Sequence, residues 1–277
     1  MGTCLARALR AMRLPLTAVA SSRRERAVFI AEQMGAGVAG VAVRDLAQRA
    51  DLIFLTVPDA QVSLACDSLQ LSAAHSAVHM SGALGLTALV AASARGARCG
   101  VMHPLQAFPP SAGAERFQGI HMGIEADGPE LERELQNIVR TLGATPFSLQ
   151  GVDRTAYHAA AVFTSNYVVA LHVAAARSWE LAGLPASAAR AALAPLTAGA
   201  SLAIAQNELP AALTGPLVRG DVATLAAHLQ GLAHQPELLA LYRSLGRQLL
   251  TLPLPLEDTT RAELSALLSD PDPTRWA

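Results

Sequence analysis

Residues 1–27 read MGTCLARALRAMRLPLTAVASSRRERA, and this stretch decides how the first half of the chain folds. Gly2 opens a helical pattern whose apolar residues Leu5, Leu9 and Met12 share one face, and Thr3 is its second residue. A short strand, Leu16–Ala20, follows and ends in Ser21, Ser22, Arg23 and Arg24. Glycine, helix, strand and polar cluster in that order form the back half of a βαβ dinucleotide-binding fingerprint. The front half, a strand and two further glycines, has no counterpart before Gly2. The expectation is a sheet without its central strand, in a chain lacking residues that its functional form possesses. Strands left without a neighbour would carry unpaired backbone groups, each costing ~1–3 kcal/mol.

The pattern continues outward from this opening. Strand-like runs at Leu52–Val57, Ala77–Met80, Cys99–Met102, His121–Glu125 and Thr145–Leu149 alternate with helical stretches. Those helices fall at Glu25–Met34, Ala60–Leu69, Leu86–Ala92 and Pro129–Leu142. Such alternation predicts a mostly parallel sheet covered on both faces. Past Gly151 the strand signals stop, and Ala/Leu-rich helices are predicted at Arg154–Leu181, Ala186–Ala205, Val222–Ala233 and Glu237–Leu250. Asp221 stands where a helix N-cap belongs. The reading is an α/β dinucleotide-binding domain over residues 1–150 and a helical domain over 151–277, with a small-molecule site expected between them.

Composition narrows the function. The 277 residues are 52% hydrophobic and 16% charged with net charge −1, so broad electrostatic binding to nucleic acid or acidic membrane is not expected. No uninterrupted apolar run reaches the ~18 residues of a membrane span. Cys4, Cys66 and Cys99 lie far apart without metal-ligand spacing, so no metal site is expected and a cytoplasmic setting fits. All 21 basic residues are arginine. Schiff-base chemistry, a lysine base and a P-loop lysine are thereby excluded.

Candidate site residues sit where predicted strands end. Ser22, Arg23 and Arg24 replace the acidic residue that would bind a ribose hydroxyl, and arginine there suits a 2′-phosphate, hence NADP(H) over NAD(H). Val57-Pro58 ends one strand, since proline cannot extend a ladder, and Ser81-Gly82 brings backbone close to a nicotinamide one unit later. His103 follows an apolar strand and precedes a proline, which suits it to proton transfer with a substrate oxygen. His158, Ser165 and Asn166 lie at the start of the long helix that opens the second half and are expected to meet His103 across the cleft. The broad apolar, alanine-rich faces of the later helices predict a homodimer.

Taken together, GTCLARALR (2–10), DLIFLTVPD (51–59), HMSGAL (79–84), HPLQAF (103–108), YHAAAVFTSNYVVAL (157–171) and LTGPLVRGD (213–221) resemble a family of two-domain bacterial proteins. That family joins a Rossmann-like domain to a DUF2520 domain. The resemblance implies a Rossmann-like sheet lacking its first strand, followed by an all-helical domain like the C-terminal domain of 6-phosphogluconate dehydrogenases. It also implies an NADP(H)-dependent oxidoreductase acting on a small carbonyl or hydroxy compound that bears a carboxylate. Gly2 matches the third glycine of the family turn, and Met1 stands where valine is common, as a start placed too late would produce. The HPLQ segment is similar to the His-Pro segment of prephenate dehydrogenases, whose histidine contacts substrate. Related 6-phosphogluconate and β-hydroxyacid dehydrogenases use a catalytic lysine, which this chain lacks. Two other readings stand beside this one: a ketopantoate- or pyrroline-carboxylate-type reductase, and a non-catalytic NADP(H)-binding sensor or scaffold.

Overall fold

The predicted alternation of strand and helix is what the chain forms in the computed structural model, which describes residues 1–109 and 111–269. In chain order come α1 (Gly2–Ala11), β1 (Ala18–Ala20), α2 (Arg24–Met34), β2 (Ala39–Val41), β3 (Leu52–Leu55), α3 (Val62–Asp67), β4 (Ser76–His79), α4 (Val90–Ala94) and β5 (Arg98–Pro104). Next are β6 (His121–Ala126), α5 (Pro129–Thr141) and β7 (Thr145–Ser148), after which, among the described residues, only helices follow. These are α6 (Arg154–Thr164), α7 (Asn166–Leu181), α8 (Ala186–Gln206), α9 (Leu209–Ala212), α10 (Val222–Gly231), α11 (Pro236–Leu250) and α12 (Asp258–Ser269). The helix expected over Arg154–Leu181 is interrupted at Ser165, whose φ of −120° and ψ of −73° are not helical.

The strands assemble as two pieces. β1 and β2 form a parallel pair, while the other five are ordered β3-β4-β5-β6-β7. All neighbours in the larger sheet are parallel except β5 and β6. Among the described residues nothing hydrogen-bonds β1 to β3, so each has an open edge where the sequence reading leaves a strand position unfilled. β2 was not foreseen. Its Ala-Gly-Val sequence has little β signature, and Gly40 is required because a Cβ there would lie 2.6 Å from the Val28 backbone.

Both faces of the larger sheet are covered. On one, Cys4, Leu5 and Leu9 of α1 and Leu131, Leu135 and Val139 of α5 pack on Met102, Met122 and Ile124. The spacing of four along α5 gives it one continuous apolar stripe. On the other, Val62, Cys66, Leu89 and Ala92 pack on Ile53, Leu55, Ala77 and Cys99. Every residue of β4 is buried, as expected of a strand paired on both edges and covered above and below.

The chain divides into two compact units, Met1–Tyr167 and Val168–Ala277. α6 belongs to the first, and Asp153 caps it by accepting from the N–H groups of Thr155 and Ala156. The core of the second gathers Leu217, Leu225 and Leu229 with Leu239, Leu264 and Leu268. Asp221 caps α10 through a 3.0 Å bond from the Thr224 N–H, at the position the sequence marks. In contrast, α7 has no buried residue and α8 buries only Ala189.

Candidate functional site

Because β3, β4 and β5 run parallel, their carboxyl ends lie along one edge, where open α/β sheets bind ligands. Thr56, Val57, Pro58 and Asp59 follow β3, Ser81 and Gly82 follow β4, and His103 lies near the end of β5. The start of α1 reaches the same edge: Gly2 packs so closely on the Thr56 side chain that a Cβ there would displace its hydroxyl. No side chain caps α1, which leaves the N–H groups of its first turn, Gly2 and Thr3 included, available to an anion.

A hydrogen-bonded strut fixes the loop after β4. His79 is fully buried, accepts at Nδ1 from the Ser81 N–H at 3.2 Å, and bonds through Nε2 to the Gly85 carbonyl at 3.1 Å. With Nδ1 accepting, the neutral ring carries its proton on Nε2 and donates to that carbonyl. Burial first of all holds the His79 pKa below its ordinary value. Ser81 then donates to Asp59 Oδ2 at 2.7 Å and accepts from the N–H groups of Ala83 and Leu84. The ends of β3 and β4 are thus tied together through side chains.

Gly82 brings this loop against His103. A Cβ at residue 82 would lie 2.7 Å from His103 Cε1 and 2.8 Å from Nε2, so the ring occupies the space a side chain would take. On its other side, His103 Nδ1 lies 2.6 Å from the hydroxyl of Tyr157 on α6, with the rings edge to face. Burial, followed by the positive fields of His158 and Arg154, lowers the His103 pKa to about 4. Burial likewise raises that of Tyr157 to about 12. His103 therefore does not titrate in the ordinary histidine range that its identity suggested. At neutral pH the pair is an uncharged imidazole hydrogen-bonded to an uncharged phenol.

Arg154 lies one turn before Tyr157 on the same helix face. Its side chain is 12% exposed, and its Nη2 is bonded to Glu125 Oε2. Its Nη1 and the Nδ1 of His158 are buried without a partner among the described residues.

The remaining candidates are distributed differently. Ser22, Arg23 and Arg24 follow β1 and are exposed, with Arg23 preceding α2. Val57 and Pro58 are also exposed. Ser165 and Asn166 lie at the break between α6 and α7, exposed and about 12 Å along the helix from Tyr157 at 1.5 Å per residue. No bond among the described residues joins them to His103. Sequence reasoning missed Asp59, His79 and Arg154 as members of this cluster and left Tyr157 without a role among the polar residues at the start of the long helix. A signal existed for two of them: Arg154, Tyr157 and His158 are spaced i, i+3, i+4 and must share a face.

A dinucleotide fits the groups along this edge. The uncapped start of α1 suits a phosphate and the exposed Arg23–Arg24 pair a second anionic group, both beside the carboxyl ends of the strands.

Comparison with known proteins agrees with this architecture. Residues 1–81 match the family described as "NADP oxidoreductase coenzyme F420-dependent", and residues 120–249 match "Domain of unknown function (DUF2520)". The chain carries both segments, in the order its sequence resemblance implies. No curated protein sequence matches it. Among solved structures, a candidate NADP oxidoreductase from Bacteroides fragilis is 25% identical over 89% of this chain and 93% of that one, with a TM-score of 0.69. A Thermotoga maritima protein is 25% identical over 90% of this chain and 94% of that one, with a TM-score of 0.71. In fold alone the chain is similar to a 1-pyrroline-5-carboxylate reductase from Streptococcus pyogenes, 17% identical over 91% of this chain and 96% of that one, with a TM-score of 0.59.

Proposed function

We propose that this protein is an NADP(H)-linked oxidoreductase acting on a small carbonyl or hydroxy compound. The observation that carries the reading is the His103–Tyr157 pair, packed against Gly82 at the carboxyl edge of a Rossmann-like sheet. The match to an NADP oxidoreductase family and the likeness to the Bacteroides fragilis protein support the same class. When bound, the nicotinamide supplies a hydride to the carbonyl carbon. The chain supplies the proton that the developing alkoxide needs, from the Tyr157 hydroxyl, with His103 bonded behind it to pass a replacement. A neutral imidazole in this role positions and polarises rather than acting as a strong acid. The exposed Arg23 and Arg24, with no acid between them and β1, favour the 2′-phosphate of NADP(H). The test is NADPH and NADH binding, followed by turnover on a panel of carbonyl compounds. Tighter NADPH than NADH binding with turnover on at least one compound is expected. Tight NADPH binding with no turnover on any would make the protein a sensor instead.

The second unit is proposed to pair with a second copy of the chain. Val169 and Val173 on α7 are 66% and 59% exposed, and Leu196 and Leu202 on α8 are 72% and 57% exposed. Monomers rarely leave an apolar surface of this extent uncovered. Arg154–Leu181 and Ala186–Gln206 are also long and apolar enough to cross a membrane, with mean hydropathy of 1.5 and 1.3. Arg177, Glu180 and Arg190 lie within them, however, and the His172–Thr197 bond of 2.7 Å places further polar groups there. Charged side chains are costly in hydrocarbon and cheap at the rim of a protein interface. A dimer by light scattering at micromolar concentration is the expected result. A monomer would overturn the pairing, and protein that stays soluble only in detergent would point to lipid.

A further inference from the structure

We infer that Arg154 and His158 form a carboxylate-recognition site beside the His103–Tyr157 pair, so that the substrate carries a carboxylate close to its reacting carbonyl. The inference rests on the oxidoreductase reading for its substrate and on geometry for its site. Tyr157 lies three residues after Arg154 and His158 four, so all three share one face of α6. Tyr157 is held to His103, which fixes that face toward the proton-transfer pair. Glu125, 21% exposed, engages only one of the terminal nitrogens of Arg154, and the other is buried without a partner among the described residues. A guanidinium has donors only, so this N–H has no alternative role. His158 contributes a second buried, unpartnered nitrogen. Leaving a buried donor unmatched costs free energy, and orphaned groups of this kind in a folded protein call for an explanation. A carboxylate answers the need: it accepts from Arg154 Nη1 on one oxygen and from the Nδ1–H of His158 on the other.

Glu125 then has a second part. It holds the guanidinium in place while competing with the incoming anion for it. The same oxyanion chemistry would also suit a phosphate of the cofactor, and the position beside the proton-transfer pair favours the substrate.

The probe is pyruvate, titrated calorimetrically into the cofactor-free protein, with acetone and inorganic phosphate as controls. Pyruvate is expected to bind and acetone not, with phosphate weaker than pyruvate. Arg154→Gln should weaken pyruvate binding by about 10- to 100-fold, the loss typical of a hydrogen bond to a charged group. Glu125→Gln should strengthen it, because the competing carboxylate is gone; an Arg–Glu pair that serves structure alone would show no gain. Since Arg154→Gln strands Glu125, the double variant Arg154→Gln/Glu125→Gln, checked for an unchanged fold by circular dichroism, must show the same loss as the single one. Equal binding of pyruvate and acetone, or undiminished binding by both Arg154 variants, overturns the inference. Phosphate binding as tightly as pyruvate overturns it too and assigns the site to the cofactor. Turnover confined to neutral carbonyls, without pyruvate binding, ends this inference and leaves the oxidoreductase reading intact. Pyruvate binding without NADPH turnover on any carbonyl does the reverse.

Discussion

Replacing His103 by Gln, or Tyr157 by Phe, is expected to lower NADPH-linked turnover by about 100-fold or more while NADPH affinity holds, since positioned proton transfer contributes on that scale. The two substitutions act on one unit. Tyr157→Phe removes the hydroxyl that lies 2.6 Å from His103 Nδ1, and His103→Gln removes the ring that passes it a replacement proton. Because they share a step, the double variant should fall little below either single one. Gly82→Ala should resemble His103→Gln, since its methyl group would meet the imidazole at 2.7 Å and displace it. The pH profile gives an independent reading. The pair keeps one protonation state between the His103 value of about 4 and the Tyr157 value of about 12. Turnover of the free enzyme should therefore show no break near 6.5, the ordinary histidine value. Undiminished turnover in both single variants would remove the pair from the chemistry and leave His158 as the proton donor.

Much of this fold could be read from the sequence, for a physical reason. Strands buried on both faces are predominantly apolar, so β3, β4 and β5 announce themselves through runs such as LIFL (52–55) and CGVM (99–102). β2 escapes because it packs on α2 through the bare backbone of Gly40, and a glycine carries no hydrophobic signal. His103 is legible for the same reason as its strand: it ends an apolar run and precedes a proline. Its bond to Tyr157 is not, because the two residues lie 54 apart in sequence and only the packing of α6 on the sheet edge brings them together. Arg154 was passed over as the first residue of a helix. What marks it is a nitrogen left unpaired inside the fold, which spacing cannot reveal.

Stability should fall as pH drops from about 6.5 to about 4, and His103 should account for much of the loss. Burial lowers its pKa from 6.5 in the open chain to about 4 in the fold. Between those values the unfolded chain binds more protons than the folded one, so unfolding gains from acid. The contribution is therefore complete above the unfolded value and gone once pH passes below the folded one. A shift of this size corresponds to about 3 kcal/mol, a substantial fraction of a domain's net stability. His79, also buried and also lowered, acts in the same direction. Tyr157 adds the opposite limb: raised from 10.0 to about 12, it favours the folded chain below the first value and ceases to as pH passes the second. Urea unfolding at a series of pH values checks both limbs. His103→Gln should flatten the acid limb and leave the alkaline one, whereas Tyr157→Phe should flatten the alkaline one. If wild type and His103→Gln lose stability in parallel between the two histidine values, His103 is not held neutral by its burial. The uncharged pair on which the proposed proton transfer depends would then be wrong, whatever the turnover of the variants.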